Sequence, residues 1–140
     1  MSDRALRLVM ALLAVTTTGI AGYLLYSDST DASVACSTGG CETVEQSQYA
    51  DIFGVPVALI GLVGSIAILL TLVRADTLSR AAGLAFTVSA LVFATYLVVL
   101  QLAVIDAVCE WCMVNDALVA VLTVLAGLRA LSDLNAPIRA

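Results

Sequence analysis

The chain has 140 residues, 61% of them hydrophobic and only 12% charged. Soluble domains run at about 45–50% apolar and about 25% charged, and a chain this short buries too little surface to hide the excess, so a freely soluble globular domain is excluded. The net charge is −5, lysine and histidine are absent, and six scattered arginines exclude a phosphate-tracking nucleic-acid surface.

A helix needs roughly 20 apolar residues to cross a bilayer. The first charge-free run, residues 8–26, follows Arg4 and Arg7. It is too long for a signal-peptide core, and Tyr23-Leu24-Leu25-Tyr26 is a poor cleavage site, so it is predicted to stay as helix one. A polar segment of about 27–51 follows, with a short helix expected near 42–49. Helix two is predicted over 52–73, with Gly54-Val55-Pro56 in its first turn, where proline's missing N–H costs nothing. Gly61 and Ser65 are spaced to let a neighbouring helix approach closely. Helix three is predicted over 81–105. Helix four, over 111–131, contains Asp116 and is expected to extend to Leu131 by letting Arg129 snorkel. The reading is an all-α integral membrane four-helix bundle, a single unit over 1–140, with an extracytoplasmic loop after helix one.

Arginine placement orients the bundle. Arg4 and Arg7, Arg74 and Arg80, and Arg129 and Arg139 fall in the three segments that share one side of a four-span chain. The two remaining loops carry no basic residue. The positive-inside rule then puts both termini in the cytoplasm of a multi-pass cell-membrane protein and the connecting loops outside.

All four cysteines lie in those outside segments. Cys36 and Cys41 bracket Ser37-Thr38-Gly39-Gly40, and Cys109-Glu110-Trp111-Cys112 forms a C-x-x-C at the start of helix four. An even count in an oxidising compartment points to disulfides. Both pairs are local, and such short loops remove little unfolded-state entropy, so the pairs are poor staples. A C-x-x-C at a helix N-terminus is a reactive arrangement, because unpaired N–H groups and the helix dipole stabilise a thiolate. Gly39-Gly40 is expected to let the loop pair move. Cys112 sits one turn beyond Cys109, roughly 4.5 Å further along the axis, and is expected to face the lipid boundary where a quinone head group would lie. Asn115 and Asp116 follow on or near the same face and can supply a proton and a hydrogen bond to a quinone carbonyl. Four thiolates also match the ligand count of a zinc site, but the pairs are separated by two spans and the compartment favours disulfides, so no metal is expected. Two purely structural disulfides in a membrane scaffold are the non-enzymatic alternative.

With Cys36…Gly40-Cys41-Glu42-Thr43-Val44…Ser47-Gln48-Tyr49-Ala50…Phe53-Gly54-Val55-Pro56 and the later C-x-x-C, the chain resembles the vitamin K epoxide reductase family, in particular its bacterial members. The order of pairs, loop pair first, separates it from the DsbB type, which carries its C-x-x-C in the first loop. The resemblance implies a four-helix bundle around a quinone, menaquinone or ubiquinone. It implies that Cys36 meets an outside thiol partner, Cys41 passes electrons to Cys109, and Cys112 reduces the quinone. It also implies that Ser47 is a hydroxyl near the active site and that Phe53 lines the quinone pocket. Many bacterial members carry a fused thioredoxin-like domain, which is not expected here, with the sequence stopping at Ala140. A separate thioredoxin-like (DsbA-like) partner is therefore expected. The expected activity is thiol:quinone oxidoreduction in support of disulfide formation, with quinone or epoxide reduction as the alternative direction.

Overall fold

The computed structural model describes residues 1–135; Arg139, used above for orientation, lies outside the described residues. Four long helices dominate: α1 (Asp3–Thr30), α3 (Val57–Val73), α4 (Thr77–Leu100) and α5 (Glu110–Leu134). A short α2 (Gly40–Glu45) and a two-stranded hairpin, β1 (Asp51–Ile52) with β2 (Val55–Pro56), occupy the segment between α1 and α3. Helix α1 packs on α3, α3 on α4, α4 on α5, and α5 back on α1, so the four close into a ring.

Three helices, Asp3–Thr30, Thr77–Ile105 and Glu110–Leu134, are long and apolar enough to cross a membrane; Val57–Val73 is apolar but shorter, at 17 residues. Large aliphatic side chains such as Leu12, Leu70, Val92 and Val124 stand exposed on all four. That outward apolar surface suits lipid, since water would penalise it.

The helix limits expected from sequence shift where local chemistry intervenes. Helix α1 begins earlier because the Ser2 side chain caps it, accepting from Ala5 N–H. Helix α4 begins earlier because Asp76 caps it in the same way through Ser79 N–H. Helix α3 begins later than position 52. Phe53 and Gly54 both take positive φ, 52° and 80°, which suits a tight hairpin turn and no helix. Asp51 pairs with Pro56 and Ile52 with Val55, so Pro56 is the last strand residue and only precedes the helix. The short helix of the loop covers 40–45 instead of 42–49.

The apolar core lies toward one end. Leu6, Met10 and Ala14 of α1 meet Ile68 and Leu72 of α3 and Leu122 and Ala126 of α5. Beyond it, arginines lace the helix ends together. Arg7 donates from Nε to the Leu72 carbonyl at 3.0 Å and from Nη2 to that of Val73 at 2.9 Å, satisfying acceptors that the end of α3 leaves open. Arg80 pairs with Asp133 at 2.7 Å and with Asp3 at 3.4 Å. Arg129 does not snorkel. It is 2% exposed, donates to Asp3 at 3.3 Å and to the Arg74 carbonyl at 3.2 Å, and so bridges α5 to α1 and α3. Paired neighbours at the bundle end make a route to water unnecessary.

Candidate functional site

The four cysteines gather at the other end. Both pairs are bonded, Cys36–Cys41 with Cα atoms 6.1 Å apart and Cys109–Cys112 with Cα atoms 5.2 Å apart, and no free cysteine remains among the described residues. Cys41 and Cys109 are fully buried, whereas Cys36 and Cys112 are half-buried. Each pair therefore has one sealed sulfur and one more open sulfur.

Local structure explains the placement of the C-x-x-C. Helix α4 runs on as five residues of π-helix, Gln101–Ile105, which ends in left-handed Asp106 at φ 56°. Such a widened turn is common at functional sites. Gln101 is 2% exposed, and its side-chain carbonyl accepts the Cys109 N–H at 2.8 Å. Cys109 then caps α5, its sulfur accepting the Cys112 N–H at 3.3 Å. A sulfur held at a helix N-terminus gains from the dipole whenever it becomes a thiolate. Gln101 has no counterpart in the sequence reading. A lone amide at the end of an otherwise apolar run was the only signal for it.

The loop pair is docked directly onto this segment. Ala35 is gripped on both sides: its N–H donates to Tyr23 Oη at 3.0 Å, and its carbonyl accepts from Trp111 Nε1 at 2.6 Å. The two rings meet edge to face, 5.3 Å between centroids. The backbone N–H of Ser37 and its hydroxyl both donate to the Glu110 carboxylate. Thr38 Oγ1 donates to the Val108 carbonyl at 3.3 Å. The expectation of a mobile Gly39-Gly40 hinge is corrected by these bonds. Gly39 takes φ 70° to start α2, and a Cβ on Gly40 would collide with the Val108 backbone. The two glycines serve a sharp turn and a close approach.

On its inner side the C-x-x-C opens into a cavity of about 330 Å³. Along α1 it follows Thr17, Ala21, Leu24 and Asp28, one face over roughly 16 Å of helix. Cys112, Asn115, Asp116 and Val119 form the α5 wall at the same spacing. Cys112 thus faces the bundle interior, not the lipid boundary expected for it, because this stripe of α5 turns toward α1 and α4. Ser47 also lines the cavity, its hydroxyl donating to the Val44 carbonyl at 2.7 Å. Gly61 and Ser65 line it as well, and a Cβ on Gly61 would stand 3.8 Å from that of Ala21.

Phe53 is not brought there. It sits at the hairpin tip, fully exposed, because the left-handed turn carries its side chain away from the bundle. Sequence reasoning also passed over Glu45, which does line the cavity. Burial, with help from Asp28 and Glu42, pushes its carboxyl up to about 7.

The cavity is mostly apolar, yet it holds the buried oxygens of Glu45 Oε1, Asn115 Oδ1 and Asp116 Oδ2, each without a hydrogen-bond partner among the described residues. Buried polar groups are nearly always satisfied, so three together mark a place built for a polar ligand edge. A flat apolar ring bearing carbonyl oxygens fits this lining: the walls take the ring, and the Asn115 amide or a protonated carboxyl can donate to the carbonyls. No cluster of side chains able to hold a metal ion occurs among the described residues.

The sequence matches the family described as "Vitamin K epoxide reductase family" over residues 8–127, a stretch that holds both cysteine pairs and the whole cavity. The chain belongs to the vitamin K epoxide reductase family, a family of membrane thiol oxidoreductases that is quinone-linked in general.

Proposed function

We propose that the protein is a thiol:quinone oxidoreductase that reoxidises a thioredoxin-like (DsbA-like) partner and so supports disulfide-bond formation. All four long helices span the cell membrane, the termini face the cytoplasm and the cysteines face outward. The segregation of Arg7, Arg80 and Arg129 to the end opposite the cysteines supports that orientation. One observation carries the functional reading. The cysteines run from half-buried Cys36 on the loop, through fully buried Cys41 and Cys109, to Cys112 in the cavity wall. That is the order in which electrons would pass inward.

The chemistry balances as two exchanges and one two-electron transfer. A partner thiolate attacks Cys36, the Cys36–Cys41 bond breaks, and Cys41 leaves as a thiolate. The partner's second thiol displaces Cys36, so the partner departs oxidised and the loop pair holds two electrons. Cys41 then attacks Cys109, and Cys112 is released as a thiolate beside the cavity. Cys36 displaces Cys109 from Cys41 and restores the loop disulfide. When bound, a quinone supplies the acceptor for two electrons and two protons. Cys109 closes on Cys112 as that electron pair departs. The sum is one partner dithiol converted to a disulfide and one quinone converted to quinol. Each exchange requires a thiolate, and the N-terminus of α5 favours one. Asn115 and Asp116 would orient the carbonyl edge of the ring. Ser47, already bonded to Val44, would fix the neighbouring wall.

The test uses purified protein, a reduced DsbA-like protein and a water-soluble quinone, with quinone absorbance followed over time. Quinone loss should match the disulfide formed in the partner one for one. Partner oxidation without quinone loss would overturn the assignment. An impermeant thiol reagent should label reduced protein in intact cells, and labelling that occurs only after lysis would overturn the orientation.

A further inference from the structure

The proposed reaction consumes two protons inside a largely apolar cavity, and it leaves one group at that cavity without a task. Glu45 stands on α2, in the segment between α1 and α3 and outside the spans, and lines the cavity. Its Oε1 is buried and has no hydrogen-bond partner among the described residues. Asp28, an exposed carboxylate on α1, lines the same cavity. One carboxyl thus touches the dry interior while a second connects the same wall to water.

We propose that Glu45 passes protons from the outer aqueous side, by way of Asp28, to the ring reduced at Cys112. The inference rests on the quinone reading above. It adds the route and the residue by which protons arrive.

The surroundings support the role. Asp28 of α1 and Glu42 of its own helix act on Glu45 through their charge, and Gln101 at the end of α4 and Asn115 and Asp116 of α5 line the same cavity. Among the described residues no basic side chain lines the cavity. The Glu42 carboxylate accepts from Gln46 Nε2 at 3.2 Å and lies close enough to act on Glu45 through its charge. Burial and the two carboxylates Asp28 and Glu42 push Glu45 up to about 7, so it can both give and regain a proton near neutral pH. Asp116 is the deeper acid, on the membrane helix itself. Glu45 is the one beside an exposed carboxylate and can be refilled from solvent. In each turnover it donates one proton, is reprotonated through Asp28, and donates the second. The two protons released when the partner dithiol is oxidised enter the outer solution, so the overall balance is neutral.

The experiment isolates the cavity step. Protein reduced chemically and freed of reductant is mixed with a water-soluble quinone, and quinol formation is followed by stopped flow from pH 5 to 9. Because the protonated acid donates, the rate of the unmodified protein should fall as pH rises through about 7. Glu45→Gln should slow quinol formation about a hundredfold at pH 6.5, the lower end of what a positioned acid contributes, and abolish that limb. Glu45→Asp should keep a limb, and Asp28→Asn should move it to lower pH, because one nearby negative charge is gone. Glu45→Gln with an unchanged rate and limb, or Glu45→Asp with no limb, would overturn the proposal. Unmodified protein that exchanges with the partner dithiol yet forms no quinol at any pH would overturn the quinone reading, and this inference with it. That outcome is told apart from the others because it needs no variant.

Discussion

At the arginine end of the bundle, guanidinium groups from three helices find carboxylates and helix-terminal carbonyls, and Leu6, Met10, Ile68, Leu72 and Leu122 pack tightly beneath them. At the cysteine end, the same four helices leave a cavity whose buried oxygens on Glu45, Asn115 and Asp116 have no partner among the described residues. Polar groups in an apolar surround cost free energy when unpaired and little when paired. One end therefore uses its charges to hold the helices together. The other keeps unmet hydrogen-bonding capacity at the place where Cys112 lines a cavity.

Three substitutions sharpen or break that contrast. The largest effect belongs to the cysteine end. Cys112→Ser should lower quinol formation by about a thousandfold or more, because a reacting group is removed, while the melting temperature in detergent stays within a few degrees. A collapse in stability instead would show that the pair is a staple. Next comes Arg129→Met at the other end. It leaves the Arg74 carbonyl without its buried donor and Asp3 with Arg80 alone, and should destabilise the protein by about 1–2 kcal/mol. The turnover of the folded fraction should be unchanged; loss of turnover without loss of stability would join the two ends functionally. The smallest and most telling is Asp116→Leu. Removing an unpartnered buried carboxylate should stabilise the fold by about 1 kcal/mol while quinol formation falls. A destabilised, fully active variant would mean that the carboxylate is structural.

Much of this was legible in the sequence. Charge-free runs mark the helices because lipid tolerates no unpaired charge, and the cysteine spacing marks the two pairs without any fold. The hairpin at 51–56 was hidden inside an apolar run. Its signal was Phe53-Gly54, a turn dipeptide, which an apolarity count reads as helix. The placements of Phe53 and Cys112, which differ from those expected, share a cause. Direction of a side chain depends on a turn's handedness and on a helix's rotation, and neither is encoded by spacing alone when every face is apolar. Arg129 was read as snorkelling because Asp3, its partner, lies 126 positions away in sequence. Gln101 and Glu45 gain their meaning only from what folds against them.

The close fit of Gly40 against the Val108 backbone bears on rate as much as on shape. With Ala35, Ser37 and Thr38 already bonded to the segment around the C-x-x-C, the loop pair would, in the proposed relay, be held at its target before any electrons arrive. Transfer between the two pairs is then an intramolecular step at high effective molarity, with the orientational entropy already spent during folding. In that relay the encounter with the proposed soluble partner would remain bimolecular. Dilution of that partner should therefore slow the first exchange alone, and the internal hand-over should keep one rate constant at every partner concentration.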